Sequence, residues 1–492
     1  MKDFEVTEKT AKGQSSRPPI DYKWIALSVT TIGALMSAID GTIVTLALPD
    51  MMQKLHAGLA EMIWVIMAYI LMSTVLLLAI GRIADMFGRV RLYNLGFVVF
   101  TVGSALCGLS QNAPQLILAR LVQGSGAALM MVNSTAIISE VFPPNERGRA
   151  LGINGVTWAI GGIVGPLLGG LILSMASWRW IFYINVPIGI AGSLWGYIAL
   201  KEVGERKKGE RFDAPGAAFF SLGLLALLLA LNMGIQQSWT SPAVLALFVA
   251  FALFLVLFIH RERRAPNPVL DFSLFENRVY NFSVLSAMLQ SLAMFAVNFL
   301  IVFYFQAVRG FNPLKAAMLL MPLSIVTVVI GPLSGIMADR MGARIPATTG
   351  LLLQVLSLLW FIFTLSPDTS YSTIVVGLLL LGVGGGLFWA PNTRAAMNGA
   401  ARARLGIASA TLATLRQTGM VTSFALALAV AANSLPKEAM MNLFVGTNIA
   451  LGSGPMRDFI VGIHHAFIVS TVVCLIAAGF SLVRGSDVRK AA

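Results

Sequence analysis

The sequence contains few charged residues, two cysteines and four histidines, and these shortages exclude several classes of protein. Only 12% of its 492 residues are Asp, Glu, Lys or Arg, about half the share found in soluble domains. Cys107 and Cys474 both lie in apolar segments, so neither a disulfide nor a metal site is expected. The glycine run Gly384–Gly386 follows no strand and no phosphate-binding loop occurs, which excludes a nucleotide site and a self-contained ATP-driven pump.

Apolar sequence, in contrast, is abundant: 57% of the residues are hydrophobic and the mean hydropathy is +0.80. Stretches of about twenty apolar residues recur from end to end, each long enough to cross about 30 Å of hydrocarbon. They lack period-two alternation, so membrane-spanning helices are predicted rather than a β-barrel. About fourteen such segments start near Trp24, Met62, Leu92, Pro114, Ala150, Trp180, Phe212, Ser241, Tyr280, Leu314, Pro346, Tyr371, Gly406 and Gly462. The predicted fold class is an all-α membrane protein.

The basic residues are unevenly divided between alternate loops. The formal net charge is +13, which in a soluble chain would suggest nucleic acid as a partner. Here most Lys and Arg residues fall in the N-terminal tail and in every second loop. By the positive-inside rule, both termini are predicted to be cytoplasmic and the number of spans even, so membrane lipid rather than nucleic acid is the expected partner of this charge. Residues 1–23 contain no cleavable signal peptide, and the first span is expected to direct insertion.

Two short patterns occur twice at nearly the same offset. The segment Gly81–Gly88 reappears as Gly335–Gly342, an offset of 335 − 81 = 254 residues, and Asn133 matches Asn392, an offset of 392 − 133 = 259 residues. Six spans with their loops need roughly 200 residues, so the surplus fits two additional helices. The predicted domains are a cytoplasmic tail (1–23), a six-helix bundle (24–200), two accessory helices with linkers (201–265), a second six-helix bundle (266–485) and a second cytoplasmic tail (486–492).

Each copy of the first repeated segment places an acid beside glycines and arginines at the cytoplasmic end of a predicted span. A carboxylate there can accept backbone N–H groups of the next helix or pair with a neighbouring arginine, and so hold two helices in one arrangement. Such a contact is a candidate latch for a rocking motion, and an ordinary solvated turn is the alternative. The latch candidates are Gly81, Asp85, Gly88, Arg89, Asp339 and Arg340, together with Glu140 near the cytoplasmic end of the fourth span.

Asp40 lies deep in the first apolar segment, which runs from Trp24 to Pro49. A charge at such a depth costs between about 2.5 and 17 kcal/mol, so it is expected to face a water-filled cavity or a partner. The alternative is an acid at the membrane boundary with no role. Arg120 follows Pro114 by six residues in the fourth span, and Asp40 precedes Pro49 by nine. At 1.5 Å per residue, both lie roughly 9–14 Å below the outer surface, where an acid and a base can pair.

Four ordered motifs resemble the major facilitator superfamily, in its fourteen-helix drug:proton antiporter branch. They are Asp40-Gly41-Thr42-Ile43-Val44-x4-Pro49, the Gly81–Arg91 loop, Arg120-Leu121-Val122-Gln123-Gly124-x-Gly126 with the turn at Pro143–Gly148, and Gly161-Gly162-x2-Gly165-Pro166-x2-Gly169-Gly170. The segment Trp178–Pro187 is also typical of this branch. The resemblance covers residues 24 to 485 and implies two six-helix bundles around a central cavity, two accessory helices, and export driven by inward proton flow.

The resemblance also implies roles for particular residues. Asp40 and Arg120 match the acid and the arginine to which proton coupling is assigned in similar antiporters. The glycine motif of the fifth span is expected to pack that helix against the other bundle, with a bend that helps to seal the cavity. Its residues are Gly161, Gly165, Pro166, Gly169 and Gly170.

Competition for Asp40 is the predicted mechanism. In the outward-facing state Asp40 meets water and takes up a proton. In the inward-facing state, a cationic or bulky apolar substrate, or the approach of Arg120, favours the ionised carboxylate and expels the proton. Coupling then requires only that the two protonation forms prefer opposite arrangements. Protons and small amphipathic compounds are the expected partners, and no cofactor is expected because the proton gradient drives the cycle. The ninth span, Tyr280–Val308, has no acid with which to recognise dicationic drugs.

Aromatic, methionine and amide side chains on spans that such a fold aims inward are candidates for the substrate cavity, with ordinary packing as the alternative for each. They are Met36, Trp64, Tyr69, Gln123, Trp158, Gln290, Phe295, Asn298, Trp389 and Asn392. Arg416, about eleven residues into the thirteenth span, is a second cation near mid-membrane. Contact with a substrate or anion and a structural bond to carbonyls are both open for it.

Two rival functions remain. The same fold can export an endogenous lipid or metabolite, with the outer segment Leu435–Val461 covering a lipid exit route or docking a periplasmic adaptor protein. A non-transporting sensor or scaffold is the second rival, and it should tolerate Asp40→Asn. The predicted location is the bacterial cytoplasmic (inner) membrane, and no enzymatic activity is expected.

Overall fold

The computed structural model describes residues 21–202, 212–266, 268–311, 313–434 and 453–485, which form helices and no strand. The first helices are α1 (Tyr22–Leu55), α2 (Leu59–Val75), α3 (Leu77–Phe87), α4 (Arg89–Leu109), α5 (Ala113–Val141), α6 (Arg147–Met175), α7 (Trp180–Tyr183), α8 (Asn185–Ala199), α9 (Ala214–Gln237) and α10 (Pro242–Glu262). They are followed by α11 (Arg278–Phe303), α12 (Pro313–Leu319), α13 (Met321–Met341), α14 (Arg344–Thr364), α15 (Tyr371–Asn398), α16 (Leu405–Ser434) and α17 (Ser453–Val483).

Several helices begin where the sequence supplies a capping side chain. The side chain of Asn112 accepts a hydrogen bond from the backbone N–H of Gln115 at the start of α5, at 3.0 Å. Ser241, Asn277 and Ser370 cap α10, α11 and α15 in the same way. Such caps satisfy N–H groups that have no partner within the helix. They fix the starts of four spans close to the positions at which the apolar segments begin.

The number of spans is lower than predicted. Within the described residues, twelve segments are long and apolar enough to cross a membrane, and α2 and α3 count as a thirteenth if this pair, bent by 46°, is one span. The thirteenth predicted span corresponds to α16, which is not among them. The all-helical, multi-span class is confirmed, whereas the count of fourteen is not.

The helices pack in two groups that follow the sequence repeat. Helices α1 to α8 pack on one another, as do α11 to α17, and α9 packs on α10 while touching α2 and α16. The groups meet mainly through two crossings, α3 with α16 and α6 with α13. Because α3 and α13 carry the two copies of the repeated segment, each copy lies at a crossing with the other group. The domain boundaries stay a prediction.

Glycines bring the helix backbones into direct contact at both crossings. A Cβ atom added at Gly81 on α3 would lie 2.7 Å from the carbonyl oxygen of Gly406 on α16. A Cβ atom added at Gly335 on α13 would lie 2.9 Å from the backbone nitrogen of Arg149 on α6. Both distances are too short for a real side chain, so these two crossings require glycine as they stand.

Candidate functional site

The carboxylate of Asp40 is fully buried, with 0% of the residue exposed, and both of its oxygens accept hydrogen bonds. Arg120 on α5 donates from Nη1 to Oδ2 at 2.7 Å. Gln123, one turn further along α5, donates from Nε2 to Oδ1 at 2.8 Å. Asn185 at the start of α8 donates from Nδ2 to the same oxygen at 3.0 Å. The structure therefore brings the predicted acid and base into one buried ion pair.

The guanidinium of Arg120 is fixed by further contacts. Its Nε donates to the carbonyl oxygen of Val65 on α2 at 3.1 Å, and its Nη1 also donates to Oε1 of Gln123 at 2.6 Å. The ring of Tyr69 lies under the guanidinium carbon, at 4.3 Å from the ring centroid, and that of Phe182 at 5.8 Å. Cation–π contact and hydrogen bonding together compensate for the loss of water around the charge.

A second layer of polar groups holds Gln123. Its Nε2 also donates to Oγ of Ser104 on α4 at 2.7 Å. Cys107, one turn further along α4, lies with Sγ 3.7 Å from Oε1 of Gln123. Four helices, α1, α4, α5 and α8, thus contribute side chains to one cluster, which we call the Asp40 cluster: Asp40, Arg120, Gln123, Asn185 and Ser104.

The arrangement suits an ionised carboxylate. Three groups donate to Asp40, and an ionised carboxylate is an acceptor only, whereas a protonated one would bring a hydrogen that needs an acceptor of its own. Removing a buried charge from water costs several kcal/mol unless partners replace the lost hydration. Here the charged donor and the two amide donors replace it, so neither charge of the pair is left unsatisfied.

Access of water to Asp40 in the outward-facing state stays a prediction. In this conformation its carboxylate has no exposed surface. The physical reason is that Arg120, Gln123 and Asn185 occupy the directions from which water would approach. Exchange of a proton at Asp40 therefore requires the cluster to open.

Sequence reasoning missed Asn185 and Ser104. Asn185 lies in the segment Trp178–Pro187, which is typical of the branch but was given no role, and no sequence pattern marks Ser104. The sequence did contain a signal for Asn185, since an amide in an otherwise apolar span requires a polar partner. In the structure, Asn185 is buried at 1% exposure.

The glycine motif of α6 lies on a different partner from the one predicted. Gly161, Gly165 and Gly169 face α1, where added Cβ atoms would meet Ala38, Ile39, Thr42 and Ile43. The prediction of contact with the other bundle is wrong for these three, because their spacing of four residues places them on one face and that face packs on the helix of Asp40. Gly170 meets no atom within 4 Å. The side chain of Pro166 lies outside the described residues, and the bend predicted there stays a prediction.

At the crossing of α3 with α16, Asp85 binds the other bundle directly. Its Oδ1 accepts the backbone N–H of Gly406 at 2.9 Å, and Oδ2 accepts that of Ile407 at 3.0 Å. Arg89 donates to the same carboxylate at 2.8 Å and, through Nη1, to Glu140 at 2.8 Å. The pairing with Arg89 follows the prediction, but the N–H groups belong to α16 rather than to the next helix. Gly88 has a φ of 109°, which favours glycine.

Asp339 repeats this geometry at the crossing of α13 with α6. It accepts the backbone N–H groups of Gly148 and Arg149, each at 2.9 Å, and Nε of Arg394 at 2.8 Å. Arg340 was predicted to take part, but its side chain is exposed, and Arg394 on α15 takes the place of the expected partner. Two carboxylates, each on one half of the molecule, thus cap the start of a helix in the other half.

The cavity candidates separate into two sets. Met36, Tyr69, Gln123, Gln290 and Asn392 are buried; Gln290 donates to Gln354 at 3.4 Å, and Asn392 donates to the carbonyl oxygen of Ser283 and accepts from Arg484, both at 2.9 Å. The others retain exposed surface: Trp64, Trp158, Phe295, Asn298, Trp389 and Arg416. The second set is the better candidate for contact with a substrate, because each of its side chains keeps some accessible surface.

Comparison with known proteins places this geometry in a family. The model of the Major Facilitator Superfamily matches residues 30–221 and again residues 214–424. The multidrug resistance protein Stp of Mycobacterium tuberculosis is 35% identical over 402 residues, which cover 82% of this chain and 74% of Stp. The riboflavin transporter RibZ of Clostridioides difficile is 33% identical over 408 residues, covering 83% of this chain and 87% of RibZ.

A solved structure shares the fold. The crystal structure of the human organic anion transporter MFSD10 superposes with a TM-score of 0.63 at 16% identity, and the match covers 93% of this chain and 100% of that chain. At this identity the likeness concerns the fold alone.

Proposed function

Because the chain belongs to the major facilitator superfamily and is a transporter rather than an enzyme, we propose that it exports amphipathic or hydrophobic compounds in exchange for protons. The observation that carries the proposal is the Asp40 cluster, in which a fully buried carboxylate is paired with Arg120 at 2.7 Å. A carboxylate that is stable only while its partners are in place has two forms, one ionised and paired, the other protonated and released.

The cycle follows from these two forms. When the cluster opens to water, Asp40 takes up a proton and no longer needs the guanidinium. When Arg120 returns, the ion pair is favoured again and the proton leaves. Coupling to transport requires that the paired and the protonated forms prefer opposite arrangements of the two bundles. In this scheme the substrate shifts the arrangement of the bundles and does not have to touch Asp40.

The contacts of Asp85 and Asp339 hold the two bundles in one of the two arrangements between which the proposed cycle alternates. Asp85 and Asp339 hold the two bundles together at one end, which the distribution of Lys and Arg residues assigns to the cytoplasm. With this end closed, the conformation is the outward-facing or occluded one, and export requires both contacts to break and reform in each cycle. The same distribution supports a cytoplasmic location for both termini, and the bacterial relatives support a location in the bacterial inner membrane. With α16 as a further span, the total becomes fourteen.

Transport by purified protein in liposomes with an imposed pH gradient tests the proposal. Wild type, Asp40→Asn and Arg120→Ala are compared over a panel of neutral, cationic and anionic aromatic compounds. Wild type is expected to accelerate transport when the gradient is imposed, and Asp40→Asn is expected to transport at a rate that the gradient does not change. Wild-type transport that is independent of the gradient, for every compound that it moves, would rule out antiport.

A second candidate function is export of an endogenous metabolite. The observation that favours it is the similarity to RibZ, which is nearly as high as the similarity to Stp. Deletion of the gene in its host separates the two functions, since sensitivity to several unrelated toxic compounds indicates drug export, whereas accumulation of one cellular compound indicates metabolite export. The outer segment Leu435–Val461, predicted to dock an adaptor protein, lies in large part (435–452) outside the described residues, and an adaptor stays a proposal.

A further inference from the structure

Arg416 on α16 is a cation within the membrane-spanning part of the second half. It lies eleven residues after Leu405, the first residue of α16, which places it about 16 Å along the helix axis. Its guanidinium carbon lies 5.1 Å from the centroid of the Trp389 ring on α15. Within the described part of the chain, Arg416 makes no hydrogen bond or ion pair, unlike Arg120 in the first half.

The partly exposed surface of Arg416 faces the interior of the molecule. Helix α16 is surrounded by α11, α15 and α17 of its own half, by α2, α3 and α5 of the other half, and by α9. Arg416 and Trp389 are half-buried, while Gly419 and Val421, further along α16, are buried. Space that is open to a side chain on so enclosed a helix lies between the two bundles, where the fold places its substrate.

The balance of charge in this interior is positive. Among the described residues, Asp40 is the acid that lies in the middle of a span, and every other acid lies in a loop or within about two turns of a helix end. Asp40 is neutralised by Arg120, which leaves the charge of Arg416 uncompensated. A buried cation without a counter-ion is costly, and it is stabilised by an anion that arrives with the substrate.

We propose that Arg416 and Trp389 form a subsite for the anionic group of an amphipathic aromatic substrate, such as an organic carboxylate or sulfonate. The proposal rests on the function proposed above and narrows its substrate class. The Trp389 ring covers one face of the guanidinium and leaves the N–H groups at its edge free to bind two oxygens of one anion. The planar part of the same molecule can then contact the remaining surface of Trp389.

This assignment differs from the predicted mechanism, in which a cationic or bulky apolar substrate favours the ionised form of Asp40. A cationic compound would have to approach Arg416 with no free carboxylate nearby, whereas an anion gains a charge-assisted hydrogen bond. It also predicts the charge that moves in each cycle. An anion that leaves while a proton enters carries positive charge inward in both steps, so the membrane potential as well as the pH gradient drives export.

A matched pair of fluorescent probes tests the subsite in the purified full-length protein. Anilinonaphthalene sulfonate and N-phenylnaphthylamine share one aromatic framework and differ by the sulfonate. Wild type is expected to bind the sulfonate more tightly, and Arg416→Gln is expected to weaken sulfonate binding about tenfold or more, with little change for the neutral probe. Arg416→Lys should retain part of the preference, because it keeps the charge but not the two-point contact. Arg344→Gln, which removes an exposed arginine at the start of α14, controls for the change in net charge.

The outcomes separate this proposal from the antiport proposal. A wild type that shows no preference for the sulfonate over the neutral probe up to the solubility limit, or an Arg416→Gln variant that keeps the preference, overturns the subsite. Unchanged affinity of Arg416→Gln for the neutral probe shows that this variant is folded. Asp40→Asn is expected to retain the binding preference for the sulfonate while losing gradient-driven transport, so a failure of proton coupling leaves the test of Arg416 intact.

Discussion

The two halves of the molecule share their contacts with each other but differ in their interiors. At the crossings, Asp85 and Asp339 occupy equivalent positions, and each accepts two backbone N–H groups at about the same distances, 2.9 to 3.0 Å. In the interiors, the first half contains the closed Asp40 cluster, whereas the second contains the Gln290–Gln354 amide pair and Arg416 without an acid among the described residues. The crossing contacts thus occur in both halves, and the buried acid–base pair occurs in the first.

This difference assigns separate tasks to the two halves. Asp85 and Asp339 close the same end of the molecule at two crossings, and the proposed gate needs both contacts, because either one alone would leave the other crossing free to hinge. A single proton site is sufficient for coupling, and a second buried acid would add another desolvation cost of several kcal/mol. The interior of the second half is then free to be adapted to the substrate.

The largest expected effect contrasts the two interior arginines. Arg120→Ala should destabilise the protein by about 3–5 kcal/mol at neutral pH, because it leaves the charge of Asp40 buried without a partner. Arg416→Ala should cost much less, since Arg416 makes no ion pair. The difference is measured by thermal unfolding of the two variants in detergent at neutral pH. Equal losses in the two variants would contradict the contrast.

The next effect concerns the arginines beside Asp339. Arg394→Gln removes a charge-assisted hydrogen bond and should weaken the closed crossing by about 1.5–3 kcal/mol. Arg340→Gln is the matched control, because the neighbouring arginine is exposed. Hydrogen exchange at the amides of Gly148 and Arg149 reports on this contact directly, and it should accelerate in Arg394→Gln alone. Faster hydrogen exchange in Arg340→Gln, and not in Arg394→Gln, would show that Arg340 is the partner of Asp339, as the sequence suggested.

The glycines of the crossings provide a symmetric test. Gly81→Ala and Gly335→Ala should each disfavour the closed arrangement by about 1–3 kcal/mol, because an added methyl group would overlap the backbone of the opposite helix. Gly162→Ala is the control, since a Cβ atom there meets nothing within 4 Å. Exchange should accelerate at Gly406 and Ile407 in the first variant and at Gly148 and Arg149 in the second. An effect as large in Gly162→Ala would mean that helix propensity, not contact, is being measured.

The smallest expected effect is a difference in stability between substitutions at Asn185 and at Asn298, an amide in the other half. Asn185→Ala removes one of three donors to Asp40 and should lower stability by about 1 kcal/mol. Asn298→Ala should have little effect, because Asn298 is exposed and donates to no described group. Both variants can be compared by thermal unfolding under identical conditions. An Asn185→Ala variant as stable as wild type would show that the other two donors are sufficient for Asp40.

The helices and the Asp40–Arg120 ion pair could be predicted from the sequence, because apolar length and depth in the membrane both follow from the number of residues along a segment. Apolar length predicted the spans near Leu92, Pro114, Tyr280 and Pro346, which α4, α5, α11 and α14 occupy. Matched depth predicted that Asp40 meets Arg120. The break between α2 and α3 was not predicted, since Leu76 stands there without a nearby glycine or proline.

The helices that Asp85 and Asp339 bind across the crossings could not be predicted from the sequence. Asp85 and Asp339 accept backbone N–H groups, which every residue possesses, so no side chain in the sequence marks the helix that is bound. Arg340 was expected to pair with Asp339 because it is adjacent in the sequence, but adjacent residues on a helix point about 100° apart, and Arg394 approaches from another helix. The face of the α6 glycines could be derived from their spacing, but the helix that they contact required the structure.

Infrared difference spectroscopy of the carboxyl groups tests whether Asp40 binds and releases a proton, because the method detects the protonation of Asp40 itself. Purified protein in lipid is taken through an acidification step, and wild type is compared with Asp40→Asn. We expect a protonated-carboxyl band in the wild type that is missing from Asp40→Asn and that disappears on return to neutral pH. An identical spectrum from wild type and Asp40→Asn would show that Asp40 does not change its protonation state, and proton-coupled export through this residue would be excluded.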